Sequence, residues 1–191
     1  MSLLDVQLEA RNLLQLNPLF LHSKTTGAAE QSEVVEIAIL DTAGMPLADE
    51  LVKPKRHIRP TATQVHGITD EMVDSAPKWS EILPMIEELL VGKMVCIYDP
   101  GSEMLALRNS YQNYHNRYVL DDNNFISLMD IFSRYKNERD PRSGAFFTYA
   151  LEEAARLLGL DIEIIGYRRA RDDAWLLRAI LVTIAGWKIY Y

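Results

Sequence analysis

Leu3, Val6, Ala10, Leu13 and Leu14 recur at a spacing near that of an α-helix, and Asn17-Pro18 breaks the run; an N-terminal helix is predicted. Leu-Phe-Leu-His (19–22) reads as a short apolar strand that runs into Thr-Thr-Gly. Residues 33–40, Glu-Val-Val-Glu-Ile-Ala-Ile-Leu, are rich in β-branched side chains and predict a second strand. Asp-Thr-Ala-Gly (41–44) is turn chemistry, and residues 46–52 pair back as a third strand. A turn-rich region holding Pro54 and Pro60 follows.

Further along, Trp79, Ile82, Leu83, Ile86 and Leu90 form one face of a helix closed by Gly92, with Pro84 inside it as a kink risk. Residues 93–98 carry little charge, as expected of a strand covered on both faces. Ser102 is placed to cap a helix starting near Glu103, whose apolar stripe is Met104, Leu107, Tyr111 and Tyr114. After a polar loop come residues 125–135 and a second loop containing 137–144. Leu151, Ala154, Ala155 and Leu158 mark a helix ended by Gly159, and a last helix runs from about Asp172 to Ala185. Three strands followed by helix–strand–helix units predict an α/β fold, a mixed sheet with helices on both faces.

The chain shows no repeat, low-complexity tract or linker, and 191 residues suit one domain. Its expected parts are the N-terminal helix (1–17), a core (18–185) and an aromatic tail (186–191) that packs on its own domain or docks on a partner or a second copy. Composition, at 48% hydrophobic and 25% charged, is that of a folded soluble protein. No apolar run spans a bilayer, and Asp5, Glu9 and Arg11 interrupt the N-terminus, so the expectation is a cytoplasmic protein without a membrane partner. The single Cys96 rules out a disulfide framework and a cysteine zinc site.

A net charge of −7 argues against a generic basic coat for nucleic acid. Two local basic clusters remain, Lys53/Lys55/Arg56/Arg59 and Arg168/Arg169/Arg171, each of which taken alone reads as a solvated face.

Three segments carry a resemblance. The first is His-Ser-Lys-Thr-Thr-Gly (22–27) followed by the second strand; the second is residues 58–84, with Val-His-Gly-Ile-Thr at its centre; the third is Arg-Arg-Ala-Arg-Asp-Asp-Ala (168–174). In order and spacing the chain resembles, from about residue 18 to 185, the DEDD (DnaQ-like) 3′–5′ exonucleases, the group of the DNA polymerase III proofreading subunit, RNase T and oligoribonuclease. The resemblance implies an RNase H-like sheet, three antiparallel strands and then parallel ones. It also implies phosphodiester hydrolysis by two divalent metals, held by four carboxylates beside a general-base histidine.

Carried over one position at a time, those roles fall on residues of the wrong type. The first-strand aspartate position is His22 and the glutamate position is Lys24, on the same side of a strand by alternation. The middle carboxylate position is Glu103, the histidine position is Arg168, and Asp173 keeps the last carboxylate. With His22 neutral the formal charge of this set is zero, where the family pattern gives −4. Mg²⁺ or Mn²⁺ has no electrostatic reason to enter, and arginine cannot serve as a base near neutral pH. Asp99 and Asp172 lie nearby without matching a ligand position, and Asp172 suits a helix N-terminus.

The expectation is a vestigial site in which Lys24 and Arg168 pair with Glu103 and Asp173, without metal or cofactor. Thr25, Thr26, Gly27, Val65 and His66 match the parts that hold the terminal nucleotide, although Gly67 beside them could serve only a backbone need. Ser102 stands where the family places a stacking phenylalanine. A cationic pocket of Lys24, Arg168, Arg169 and Arg171 would bind phosphate. The resulting reading is a pseudo-exonuclease that binds single-stranded nucleic-acid 3′ ends or a protein partner. Its alternatives are a metal-dependent exonuclease on DNA or RNA with substituted ligands, a single-metal site of His22, Glu103 and Asp173, and a structural subunit, with a homodimer left open.

Overall fold

The structure is a computed structural model, and it describes residues 2–28, 30–160 and 169–188. Helix α1 (Leu3–Gln15) starts in a reciprocal cap between Ser2 and Asp5 and buries Val6, Ala10 and Leu14. Strand β1 (Leu19–Thr25) runs three residues beyond the apolar Leu-Phe-Leu-His segment. Its extension consists of polar residues that find buried partners, which an apolar pattern does not reveal. Strands β2 (Val34–Leu40), β3 (Pro46–Leu51), β4 (Val95–Ile97) and β5 (Phe125–Ser127) complete a sheet of order β3-β2-β1-β4-β5. β1 pairs antiparallel with β2, and β2 with β3; β1–β4 and β4–β5 are parallel. This is the mixed RNase H-like sheet.

Strand alternation divides the core. Phe20, Ala38, Leu40 and Cys96 face helices α1, α6 (Leu128–Lys136), α7 (Leu151–Leu157) and α8 (Ala170–Ile184). Leu21, Ile37, Ile39, Val95 and Ile97 face α4 (Trp79–Leu90) and α5 (Pro100–Asn113) on the other side. With both faces covered, every residue of β2 is buried. Glu36 within the strand and Glu33 just before it are buried carboxylates.

The region around Pro54 and Pro60 is more ordered than its turn signals suggest, forming α2 (Pro60–His66) and α3 (Asp70–Val73). Pro60 occupies the first turn of α2, where its missing N–H would have had no intrahelical partner. Pro84 lies within α4 without ending it; both Pro84 and Ser80, whose carbonyl loses a partner, are exposed to water. Ser102 is not the cap of α5. The helix begins at Pro100, and the Asp99 carboxylate accepts the Gly101 N–H at 2.9 Å and the Ser102 hydroxyl at 3.0 Å. Among the described residues, no helix is long and apolar enough to cross a membrane.

Candidate functional site

Lys24 lies opposite Glu36 in the β1–β2 register, and the Phe20–His22–Lys24 side of β1 faces α8. Glu36 anchors the start of that helix. One oxygen accepts from Arg169 Nε at 2.7 Å, and the other accepts the Ala170 backbone N–H at 2.7 Å. A buried carboxylate at a helix N-terminus satisfies an amide that would otherwise have no partner and complements the dipole. The contact also starts α8 two residues earlier than its apolar periodicity indicates. Glu36 was absent from the sequence-level candidates; a charge within an otherwise apolar buried strand was the available signal.

One turn into α8, Asp173 meets both strand residues. The Lys24 ammonium donates to its Oδ2, and His22 Nε2 lies 3.1 Å from the same oxygen. On the other side of the ring, His22 Nδ1 stands 3.5 Å from Glu103 Oε2, which α5 projects from the opposite layer. Three of the expected site residues thus converge on Asp173 or on the ring beside it. Glu103 faces His22 rather than Lys24. Arg168 lies outside the described residues.

Burial raises the Asp173 carboxyl, but the hydrogen bond and charge of His22, with Lys24, outweigh it and hold its pKa at about 2. Glu103 goes the other way: burial pushes its carboxyl up, only partly opposed by His22, Ser23 and Lys24. Asp172, in the first turn of α8, is also raised, by burial and then by the charges of Asp173 and Glu36. Among the described residues, no group of three or more His, Cys, Asp or Glu side chains is arranged to hold a metal ion. An ammonium lies against the carboxylate that a divalent ion would use.

The expected cationic pocket is not assembled by its described members. Lys24 is engaged by Asp173, Arg169 by Glu36, and Arg171 stands 3.7 Å from Asp49. The reason is local: each cation lies beside a carboxylate of α8 or of β2 and β3.

A cleft of about 470 Å³ opens beside this cluster, lined by His22, Lys24, Thr25, Val65, His66 and Ser102 among others. Gly27 borders it as well. Thr26 does not line it; its hydroxyl accepts the Glu33 N–H at 3.1 Å and its carbonyl accepts the Arg59 N–H at 2.9 Å. His66 is buried, and its ring is engaged at both nitrogens. Nε2 lies 3.1 Å from the Thr25 carbonyl, which requires a donor, while Nδ1 accepts the Ile68 N–H at 3.1 Å. Burial lowers its pKa, consistent with a neutral ring that ties α2 to β1.

The two glycines of the segment have different reasons. Gly67 caps α2 at φ +75° with open space around it, a backbone requirement. At Gly27 a Cβ would stand 2.8 Å from Arg59 Cδ, so the residue admits the arginine stem.

A family model described as Exonuclease, of the RNase T type, matches residues 24–177. An "uncharacterized exonuclease" of Escherichia phage 186 is 29% identical over 168 residues, spanning 85% of this chain and 86% of the phage protein. A PolC-type DNA polymerase III of Latilactobacillus sakei is 28% identical over 152 residues, 75% of this chain but 10% of the polymerase. Among solved structures, Exonuclease X in complex with 5′ overhanging duplex DNA superposes with a TM-score of 0.64 at 21% identity, covering 89% of this chain and 93% of that one. The nuclease domain of 3′hExo, a DEDDh family member bound to rAMP, gives 0.66 at 17% identity over 86% and 88%. The family model spans most of the chain, and the conclusion is plain: this chain belongs to the RNase T exonuclease family.

Proposed function

We propose that the chain binds the 3′ end of single-stranded nucleic acid in the His22–His66 cleft and does not hydrolyse it. One observation carries this reading: the Lys24 ammonium donates to Asp173 Oδ2. Hard divalent ions need carboxylate oxygens and open coordination positions. Here a fixed positive charge sits on one carboxylate, and burial favours the protonated form of Glu103, the other. These residues do not fit a metal pair. Arg168 at the position of the general-base histidine, together with His22 and Lys24 in place of two carboxylates, adds to the same reading. Support for nucleic acid as the ligand comes from structural neighbours, Exonuclease X in complex with 5′ overhanging duplex DNA and Escherichia coli Exonuclease I in complex with a dA16 oligonucleotide.

The test uses end-labelled single strands of DNA and RNA, incubated with Mg²⁺ or Mn²⁺ and followed in parallel by gel and by filter binding. Retention on the filter without shortening is expected. Metal-dependent trimming from the 3′ end, abolished by Glu103→Ala and Asp173→Ala, would instead establish a working exonuclease with substituted ligands, the outcome that family membership favours.

A further inference from the structure

A second cavity of about 460 Å³ lies across Gly27 from the cleft. Gly27 and Ser32 border both, so the two are adjacent along one ridge. Arg56 and Arg59 line one wall with His57, whose Nδ1 lies 2.9 Å from Asp70 Oδ2; Glu30 stands on the loop at the other side.

Both arginines are anchored on one side and keep their terminal nitrogens open. The backbone N–H of Arg59 donates to the Thr26 carbonyl at 2.9 Å, and its side chain crosses Gly27, where a Cβ would stand 2.8 Å from Cδ and displace it. Among the described residues no carboxylate pairs with the Arg59 guanidinium. Glu33, 1% exposed, accepts the Lys55 N–H at 3.0 Å and approaches Arg56 through Nε at 3.6 Å, which leaves the terminal nitrogens of Arg56 as donors. The opposite wall is fixed too: Asn109 Nδ2 donates to the carbonyls of Glu30 at 2.8 Å and Ser32 at 2.9 Å.

In a chain of net charge −7, attraction for a polyanion has to come from local cations. Lys24, Arg169 and Arg171 each face a carboxylate, as does Arg56 through its Nε, while Arg59 faces none among the described residues. The Arg59 fork and the terminal nitrogens of Arg56 are suited to phosphate oxygens. The geometry points to a second subsite: Arg56 and Arg59 each hold a phosphodiester on the 5′ side of the penultimate nucleotide, and the strand crosses Gly27 between the two cavities. This assignment rests on the end-binding reading above and adds to it the direction in which the strand leaves.

The experiment compares a thymidine 5′-monophosphate with an eight-nucleotide oligo(dT), titrated into the full chain at several salt concentrations. Affinity is expected to rise with length. Arg56→Gln combined with Arg59→Gln should weaken the octamer about tenfold and flatten its log–log salt dependence by about 1.4, two contacts at roughly 0.7 each for a single strand. The mononucleotide, too short to reach the pocket, should be affected less than about twofold. Glu30→Gln supplies a change of opposite sign that misfolding cannot mimic, strengthening octamer binding by about twofold as one repulsive charge is removed. Octamer affinity and salt dependence unchanged in the double arginine variant would overturn the subsite and leave end binding intact. A wild-type chain that binds neither probe would remove the end-binding reading and this one together.

Discussion

Asp173 is the residue on which the site turns, and its chemistry has a measurable sign. Its folded-state pKa of about 2 lies below the ordinary 3.8, so its ionised form contributes stability that is fully present above pH 3.8 and is lost as pH falls through 2. The size is about 2 kcal/mol at roughly 1.4 kcal/mol per unit. Glu103, raised by burial, has the opposite dependence: its contribution is full below 4.5 and declines as pH rises through its folded value. Urea unfolding between pH 4 and pH 2 should therefore show a steep loss that Asp173→Asn flattens; an identical acid slope in both proteins would mean that Lys24 and His22 do not stabilise the carboxylate. The sequence placed His22, Lys24, Glu103 and Asp173 at one site by position. It could not show that Glu103 meets the ring of His22 instead of Lys24, because that depends on how far α5 carries its first turn toward the sheet.

Among the elements, most helices and strands were legible because their apolar periodicity matches their burial: Val6, Ala10 and Leu14 of α1, and Ile82, Leu83, Ile86 and Leu90 of α4. Errors fell where polar groups set the boundary. The polar end of β1 continues as strand, Glu36 draws the start of α8 back to Ala170, and Asp99 takes the capping role assigned to Ser102. These contacts join residues far apart in sequence or alternatives a few positions apart, and neither hydropathy nor turn composition separates them. The caps can be ranked by experiment. Asp99→Ala should destabilise the protein by about 1 kcal/mol, whereas Ser102→Ala, whose hydroxyl bonds to Asp99 itself, should cost about half as much or less. Chemical denaturation of the two variants checks the order, and a larger loss for Ser102→Ala would return the cap to that residue.

For the whole molecule, the fold follows from the sheet: antiparallel strands at one side, parallel at the other, and helices from both layers delivering side chains to the end of β1. A metal ion reaches such a site by mass action and leaves by it, under the control of supply, competing chelators and protons. The Lys24 ammonium is part of the chain. Its effective concentration is set by a tether of four methylenes and does not dilute. If that group serves as the counter-charge, millimolar EDTA or added Mn²⁺ should each move the thermal midpoint by less than about 1 °C, since a ligand that does not bind the native state cannot stabilise it. A rise of several degrees with Mn²⁺ would show the reverse. What changes, on this account, is the currency in which the site responds to its surroundings: sodium chloride and pH would tune it, and divalent-ion availability would not.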